Sequence, residues 1–322
     1  MSDYSFLQRT LHKLVLGPRV VREATFEIEN FFEKKIKFKD DHIFITGLAR
    51  SGSTVLLNAI YNTDKFSSLC YSDMPFILSP NLWSKLSFGK HFEAKERAHG
   101  DGIEISTNSP EAFEEVFWKT FKELDADELS FNFHKFVKRV IQKNAKERYL
   151  SKNNQNIKRL EVLREIFPHS KIIIPFRDPV QQAFSLLNQH KRFIEISKKD
   201  PFVASYMALI GHTEFGPCYS NLVTQGISVQ DRMDLNHWLE QWFLVYEKCL
   251  KLEPYDEHII LVNYEKLCSD PSVWRNLQRK SGIVAKNKVS FKNYERKIDV
   301  DLNINIIKEC KNIFSKMLEL SI

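Results

Sequence analysis

The sequence has no pair of cysteines at C-x-x-C spacing and no apolar run long enough to cross a membrane. Its five cysteines (Cys70, Cys218, Cys249, Cys268 and Cys310) are odd in number and far apart. That argues against a disulfide framework or a zinc site and fits a reducing compartment. The stretch from Met1 to Ile36 mixes charges throughout, so neither a signal peptide nor a transmembrane helix is expected there. Its Leu14-Val15-Leu16 cluster, flanked by His12, Lys13 and Arg19, reads as one face of an amphipathic helix. The expected location is the cytoplasm, and the chain is not expected to span a membrane. Internal repeats and low-complexity tracts are also missing. Charge of one sign is barely in excess: 47 Lys and Arg against 41 Asp and Glu leave a net +6, spread along the chain. This balance suits a small anionic ligand and is too weak and diffuse for a nucleic-acid partner.

Core material is plentiful. Hydrophobic residues make up 43% of the 322 positions, and 25 phenylalanines point to aromatic packing. The length fits one α/β domain over residues 1–322, with a helical extension over 1–40 and an insertion over 200–231. His42 to Thr46, Lys171 to Phe176 and His258 to Val262 are short apolar runs of the kind that form buried parallel strands. Between them lie helical patterns. Residues 5–36 read as amphipathic helix, Ile157 to Phe167 as a helix leading into the second strand, and Leu235 to Leu250 as a core-facing helix. Short strands alternating with helices predict a P-loop-like parallel β-sheet flanked by helices on both faces. Ligands of such sheets sit beyond the carboxyl ends of the strands.

The polar residues with chemical meaning fall at those ends. Gly47-Leu48-Ala49-Arg50-Ser51-Gly52-Ser53-Thr54 joins the first strand to a helix, where backbone N–H groups and the helix dipole favour an anion. A Walker A loop would read G-x-x-x-x-G-K-[ST]. Here Ser53 stands at the lysine position and the cation is Arg50, inside the loop. A plain strand–helix turn with a polar lip is the alternative reading. Arg177 ends the second strand, Asp178 and Pro179 start a helix, and Ser185 follows about two turns in. Taken alone, Arg177 could simply pair with Asp178 before a solvated basic helix end. Beside the first loop, it offers a second anion site, matching a nucleotide with phosphate at both its 5′ and 3′ positions.

Four segments in register carry a family resemblance. Arg50-Ser51-Gly52-Ser53-Thr54 resembles the 5′-phosphosulfate loop R-S-G-T-T of the sulfotransferases. Arg177-Asp178-Pro179 with Ser185 resembles their 3′-phosphate motif. Ser151-Lys152-Asn153 through Phe167-Pro168 and Lys171 resembles the lysine–helix stretch, and Val262 to Leu267 with Asp270-Pro271 a later one. The similarity runs over about residues 42–283 and leans toward the bacterial, carbohydrate and protein-tyrosine members. Three departures stand out: Ser53 for threonine, Asn154 where many relatives have proline, and Gln189 where some carry a basic residue. Lys191 or Arg192 is the expected substitute at the last.

The resemblance implies the sulfotransferase fold and transfer of a sulfonyl group from 3′-phosphoadenosine-5′-phosphosulfate (PAPS) to a hydroxyl or amine acceptor, with no metal required. It assigns Lys152 and Arg50 to the sulfonyl oxygens, Ser51, Gly52, Ser53 and Thr54 to the 5′-phosphate, and Arg177 and Ser185 to the 3′-phosphate. Tyr264 is placed near the adenosine, or else caps the sheet edge. A hydroxyl acceptor also needs a general base. Asp73 is the first candidate, with Glu114, Glu115, His91 and His99 as competitors. Residues 200–231 either cap the acceptor through His212, Glu214 and Phe215 or form a structural insertion. The acceptor itself is expected to be a carbohydrate or small molecule. Two other functions stay open: a P-loop kinase or NTPase, and a nucleotide-binding module without turnover.

Overall fold

Seven strands lie among the described residues: β1 Ile43–Ile45, β2 Phe66–Ser67, β3 Lys95–Glu96, β4 Glu104–Ile105, β5 Arg148–Lys152, β6 Lys171–Phe176 and β7 Ile259–Asn263. A computed structural model describes residues 4–87, 94–97, 100, 102–251, 257–285, 289–300 and 302–322. Five strands form a parallel sheet in the order β2-β5-β1-β6-β7, and β3 and β4 make a small antiparallel hairpin beside it. The three apolar runs expected as strands are β1, β6 and β7. The hydrophobic pattern does not reveal β2 and β5.

The helices are α1 Phe6–Leu16, α2 Arg19–Ile28, α3 Ser53–Tyr61, α4 Pro80–Leu86, α5 Glu115–Phe121, α6 Ala126–Asn144 and α7 Leu160–Ile166. They continue as α8 Pro179–Lys199, α9 Pro201–Leu209, α10 Leu235–Lys251, α11 Tyr264–Ser269, α12 Pro271–Ser281 and α13 Ile304–Leu320. Side-chain alternation along the strands splits the core in two. Phe44, Ile172, Ile174 and Phe176 face the larger cluster, built with α5, α6, α7, α8, α10 and α13. Ile43, Ile45, Ile173 and Val262 face the smaller one, against α3, α11 and α12. Both faces of the sheet are thus covered, as continuous apolar strands require.

Two expectations change. The continuous N-terminal helix is cut at Gly17-Pro18 into α1 and α2, and a 3-10 turn over Glu29–Phe32 ends it four residues before Ile36. The long irregular stretch from Asp200 contains a helix, α9, with the Asp200 carboxylate capping Phe202 N and Pro201 in the first turn. At the first phosphate-type loop, Gly47 (φ 129°), Arg50 (φ 66°) and Gly52 (φ 91°) take left-handed backbone, letting the chain reverse into α3.

Candidate active site

The carboxyl ends of β1, β5, β6 and β7 open into one cavity of about 570 Å³. Arg50, Gly52, Ser53 and Thr54 line it from the loop after β1, while Ser51 is buried and lies outside the lining. The register pairs Ile45 with Lys152, so Lys152 at the end of β5 emerges beside that loop. Arg177 and Ser185 complete this end. Arg50 Nε donates to Ser185 Oγ at 3.1 Å, which brings the two expected anion sites together on one wall. Arg177 donates from Nε to Glu265 Oε1 (3.4 Å) and from Nη2 to Asn293 Oδ1 (3.2 Å) and Tyr294 O (3.4 Å).

Tyr264 stands at the sheet end and also faces the cavity. It lines the cavity, and its ring lies so close to Gly52 that a Cβ there would sit 2.2 Å from Tyr264 Cδ2. Its hydroxyl donates to Lys292 O at 3.1 Å, tying the sheet end to the segment 289–300 that crosses the cavity. This segment supplies Lys292 and Arg296 to the lining, and Gln181 on α8 pins it by exchanging hydrogen bonds with the Arg296 backbone. Lys292 and Arg296 escape a sequence reading, since no local motif marks them. Of the expected substitutes for a basic residue at 189, where Gln189 is buried, Lys191 is exposed and outside the lining, while the Arg192 guanidinium packs on Gly100, a lining residue.

At the other end, His212, Glu214 and Phe215 all line the cavity, joined by Met207 of α9. Phe215 is buried with its ring stacked on Phe193, 6.1 Å between centroids. His212 Nε2 lies 2.6 Å from Ala112 O and donates to it, which fixes the ring with Nδ1 as its other nitrogen. Asn154 Nδ2 donates to Glu214 Oε1 at 3.0 Å, a contact proline would not make at that position.

Two charged residues that sequence reasoning passes over complete this end, Glu111 and Arg97. Glu111 is buried, accepts from the Tyr71 hydroxyl (2.8 Å) and from Ala112 N (2.8 Å), and lies 3.8 Å from Arg97 Nη1. Burial alone would raise its pKa, but Arg97, Lys152 and His212 outweigh that and hold the carboxylate below its ordinary value. The Tyr71 phenol is pushed well up, by burial first and then by the Glu111 charge, so it stays a donor. Lys152 is shifted down, mainly by burial and further by Arg97 and Arg50, against the pull of Glu111 and Glu214. The one signal for Glu111 lies in the Ser109-to-Glu115 run, which reads instead as a helix start.

The expected bases fare differently. Asp73 is 2% exposed, accepts from Cys70 N (2.8 Å) and pairs with Lys143 Nζ at 2.6 Å; it is not part of the cavity wall. Glu114 is buried and accepts from Trp118, Tyr149 and Asn156. Glu115 holds Arg159 and Asn153. All three carboxylates are occupied in holding the fold. His91 and His99 lie outside the described residues. Among the described residues no group of three or more His, Cys, Asp or Glu side chains is placed to hold a metal ion.

Comparison with known proteins agrees with this architecture. A family model described as the sulfotransferase family matches residues 42–277. No curated protein matches the chain. Among solved structures, sulfotransferase STF1 of Mycobacterium tuberculosis H37Rv is similar, with a TM-score of 0.50 at 15% identity, over 87% of this chain and 78% of that one. Sulfotransferase STF9 of Mycobacterium avium gives a TM-score of 0.50 at 12% identity, over 98% of this chain and 79% of that one. At such identities the structural likeness concerns the fold alone. The family model, covering well over half of the chain and taking in the Arg50 loop, Lys152, Arg177 and Ser185, carries the assignment: this protein belongs to the sulfotransferase family.

Proposed function

We propose that the protein transfers a sulfonyl group from PAPS to a hydroxyl-bearing acceptor, with release of 3′,5′-bisphosphoadenosine. The observation that carries this reading is the 3.1 Å contact of Arg50 with Ser185, which joins the two motifs read as anion sites on one cavity wall. The backbone of Gly52 to Thr54 at the start of α3 suits the 5′-phosphate. Arg177 and Ser185, with Lys292 and Arg296 facing them, suit the 3′-phosphate. On binding, the Arg177 guanidinium exchanges its contacts with Asn293 and Tyr294 for phosphate oxygens.

Lys152 and Arg50 supply fixed positive charge where the bond between sulfur and the bridging oxygen breaks and the electron pair passes to the 5′-phosphate. The acceptor oxygen forms the new bond to sulfur from the opposite side, between Met207, Phe215 and Glu214. His212 Nδ1 takes the acceptor proton, because its other nitrogen is fixed as a donor by Ala112 O. Glu111 lies close enough to stabilise the imidazolium so formed and is itself held by Tyr71 and Arg97. Residues 200–231 thereby serve as the acceptor cap, through α9 and the loop after it.

Calorimetric titration with 3′,5′-bisphosphoadenosine and with ATP–Mg²⁺ tests the nucleotide assignment. Micromolar binding of the bisphosphate, weakened at least tenfold by Arg177→Ala and by Ser185→Ala, supports it. Binding of ATP–Mg²⁺ with indifference to the 3′-phosphate would return the loop to the kinases and NTPases. Tight bisphosphate binding with no transfer to a broad panel of hydroxyl acceptors would mark a binding module instead.

A further inference from the structure

We propose that the outer face of the α1–α2 hairpin, with the lysine-rich segment that follows it, docks on an anionic lipid surface. The two helices pack on each other across Gly17-Pro18 and bury one side only, His12, Val15 and Leu16 from α1 and Arg22, Thr25 and Phe26 from α2. Their other side is also apolar. Val20, Ala24 and Ile28 recur every four residues and Phe31 follows three later, so they form one stripe. Leu7 and Leu14, two turns apart, form its counterpart on α1. Exposure reaches 76% at Leu7, 74% at Val20 and 87% at Phe31. Single exposed apolar residues are ordinary, but stripes along two consecutive helices mark a surface that meets something.

The surroundings of the stripe identify the occupant. Lys34, Lys35, Lys37 and Lys39 follow Phe31 directly, and all four are exposed. Lys85 on α4 lies 4.5 Å from the Phe32 ring, and Lys135 on α6 lies 5.8 Å from the ring of Phe131, itself 67% exposed. Nearby carboxylates are largely engaged: Glu33 by Lys138 and Arg139, Glu23 by Arg19, and Glu147 by Lys39. Glu27, which accepts from Asn30, remains exposed, as do Asp40 beside Lys39 and Asp127 and Glu128 before Phe131, so the lysines prevail locally only along the 34–39 segment. An apolar stripe rimmed by flexible ammonium groups fits the boundary between acyl chains and anionic headgroups. Protein interfaces are depleted in lysine, and a symmetric contact with a second copy would bring the lysine rims together. No helix among the described residues is long and apolar enough to cross a bilayer, so the contact would be peripheral.

The face also shares an element with the acceptor end of the cavity. Arg9 of α1 holds Asp200 with two bonds of 2.9 and 3.0 Å, and Tyr4 packs on Phe202 and Tyr206 of α9. Met207 of the same helix lines the cavity. Docking the hairpin would therefore load an element packed directly on the helix that lines the acceptor end.

Co-sedimentation of the full chain with phosphatidylcholine vesicles, and with mixed phosphatidylcholine–phosphatidylglycerol vesicles, tests the proposal without nucleotide or acceptor. Its outcome is therefore separate from that of the transfer reaction. The chain should partition onto the anionic vesicles and leave them as salt rises. Each lysine removed should lower partitioning about fivefold, so Lys34→Gln, Lys35→Gln and Lys37→Gln combined should lower it about a hundredfold. Val20→Ser, Ile28→Ser and Phe31→Ser combined should lower it at least about tenfold. Both sets should keep the wild-type circular dichroism and melting temperature. No sedimentation with either vesicle, or equal sedimentation with both, would overturn the proposal. So would sedimentation equilibrium showing a dimer that the same apolar substitutions dissolve, which would assign the face to a second copy.

Discussion

Gly52→Ala should damage this protein far more than its single added carbon implies, because two independent costs meet at that position. Gly52 sits at φ 91°, where an L side chain is strained by about 1–2 kcal/mol. Its new Cβ would also fall 2.2 Å from Cδ2 and 2.4 Å from Cε2 of Tyr264. Tyr264 is poorly placed to retreat: its hydroxyl is bonded to Lys292 O, and its ring is buried in the smaller core cluster. Overpacking of this kind costs about 1–3 kcal/mol. The sum, about 2–5 kcal/mol, is measurable by urea denaturation of the wild type and variant. The two costs separate in a double-mutant cycle. In a Tyr264→Ala background the ring is gone and only the backbone strain remains, so Gly52→Ala should cost about 1–3 kcal/mol less there. Equal costs in both backgrounds would refute the close contact, and a cost under about 0.5 kcal/mol in the wild type would refute the strain as well.

Activity should fall on the alkaline side earlier than an ordinary lysine with pKa 10.5 would allow, because the proposed function uses the ammonium of Lys152 and burial holds its pKa down. Lys152→Arg should remove that limb while lowering the rate, and persistence of the limb would clear Lys152 of the role. His212→Gln should lower kcat by about 10²–10⁴, with affinity for 3′,5′-bisphosphoadenosine unchanged. Loss of nucleotide affinity in parallel would show a structural defect instead. Asp73→Asn should destabilise the fold by about 3–5 kcal/mol by leaving Lys143 without its buried partner, and should spare catalysis in the folded fraction. Unchanged stability with a thousandfold loss of turnover would restore Asp73 as the base. Burial lowers the pKa of His42 to about 3 and of His190 to about 4, so below pH 6.5 only the unfolded chain takes up their protons. Stability should fall on acidification through pH 6.5 to 4, at about 1.4 kcal/mol per pH unit for each histidine, and His190→Gln should flatten the slope of a urea series.

How far the fold can be read depends on how openly each element declares its burial. β1, β6 and β7 are apolar at nearly every position and stand out as parallel strands. β5 is equally buried but reads Arg-Tyr-Leu-Ser-Lys, since each polar end finds a particular partner. Arg148 lies over the Phe66 ring and donates to the carbonyls of Asp41, Ser281 and Gly282, Tyr149 donates to Glu114, and Lys152 enters the cavity. No periodicity scan can see those partners. The unexpected α9 is a different case. Asp200-Pro201 carries the same helix-start punctuation as Asp178-Pro179, where the sequence does announce the helix, and the glycines and prolines further on obscure it.

The candidate site divides along the same physical line. The end proposed for the nucleotide is legible because a strand, a tight turn and a helix start, the parts of an anion-type loop, are contiguous in sequence. Its acceptor end draws Arg97 and Glu111 from around the β3–β4 hairpin, Lys152 and Asn154 from the end of β5, and His212 and Glu214 from the loop after α9. No spacing rule joins segments so far apart. Counting bonds to each carboxylate does better than spacing could. Asp73, Glu114 and Glu115 have their oxygens committed to holding turns and helices, and none of the three reaches the cavity. Glu111 and Glu214 remain at the cavity wall, one held by Tyr71 and Arg97, the other by Asn154. Glu111, depressed in pKa, is a poor proton acceptor but a strong fixed charge. His212, whose ring bonds Ala112 O beside Glu111, is the group to which the proposed function gives the acceptor proton.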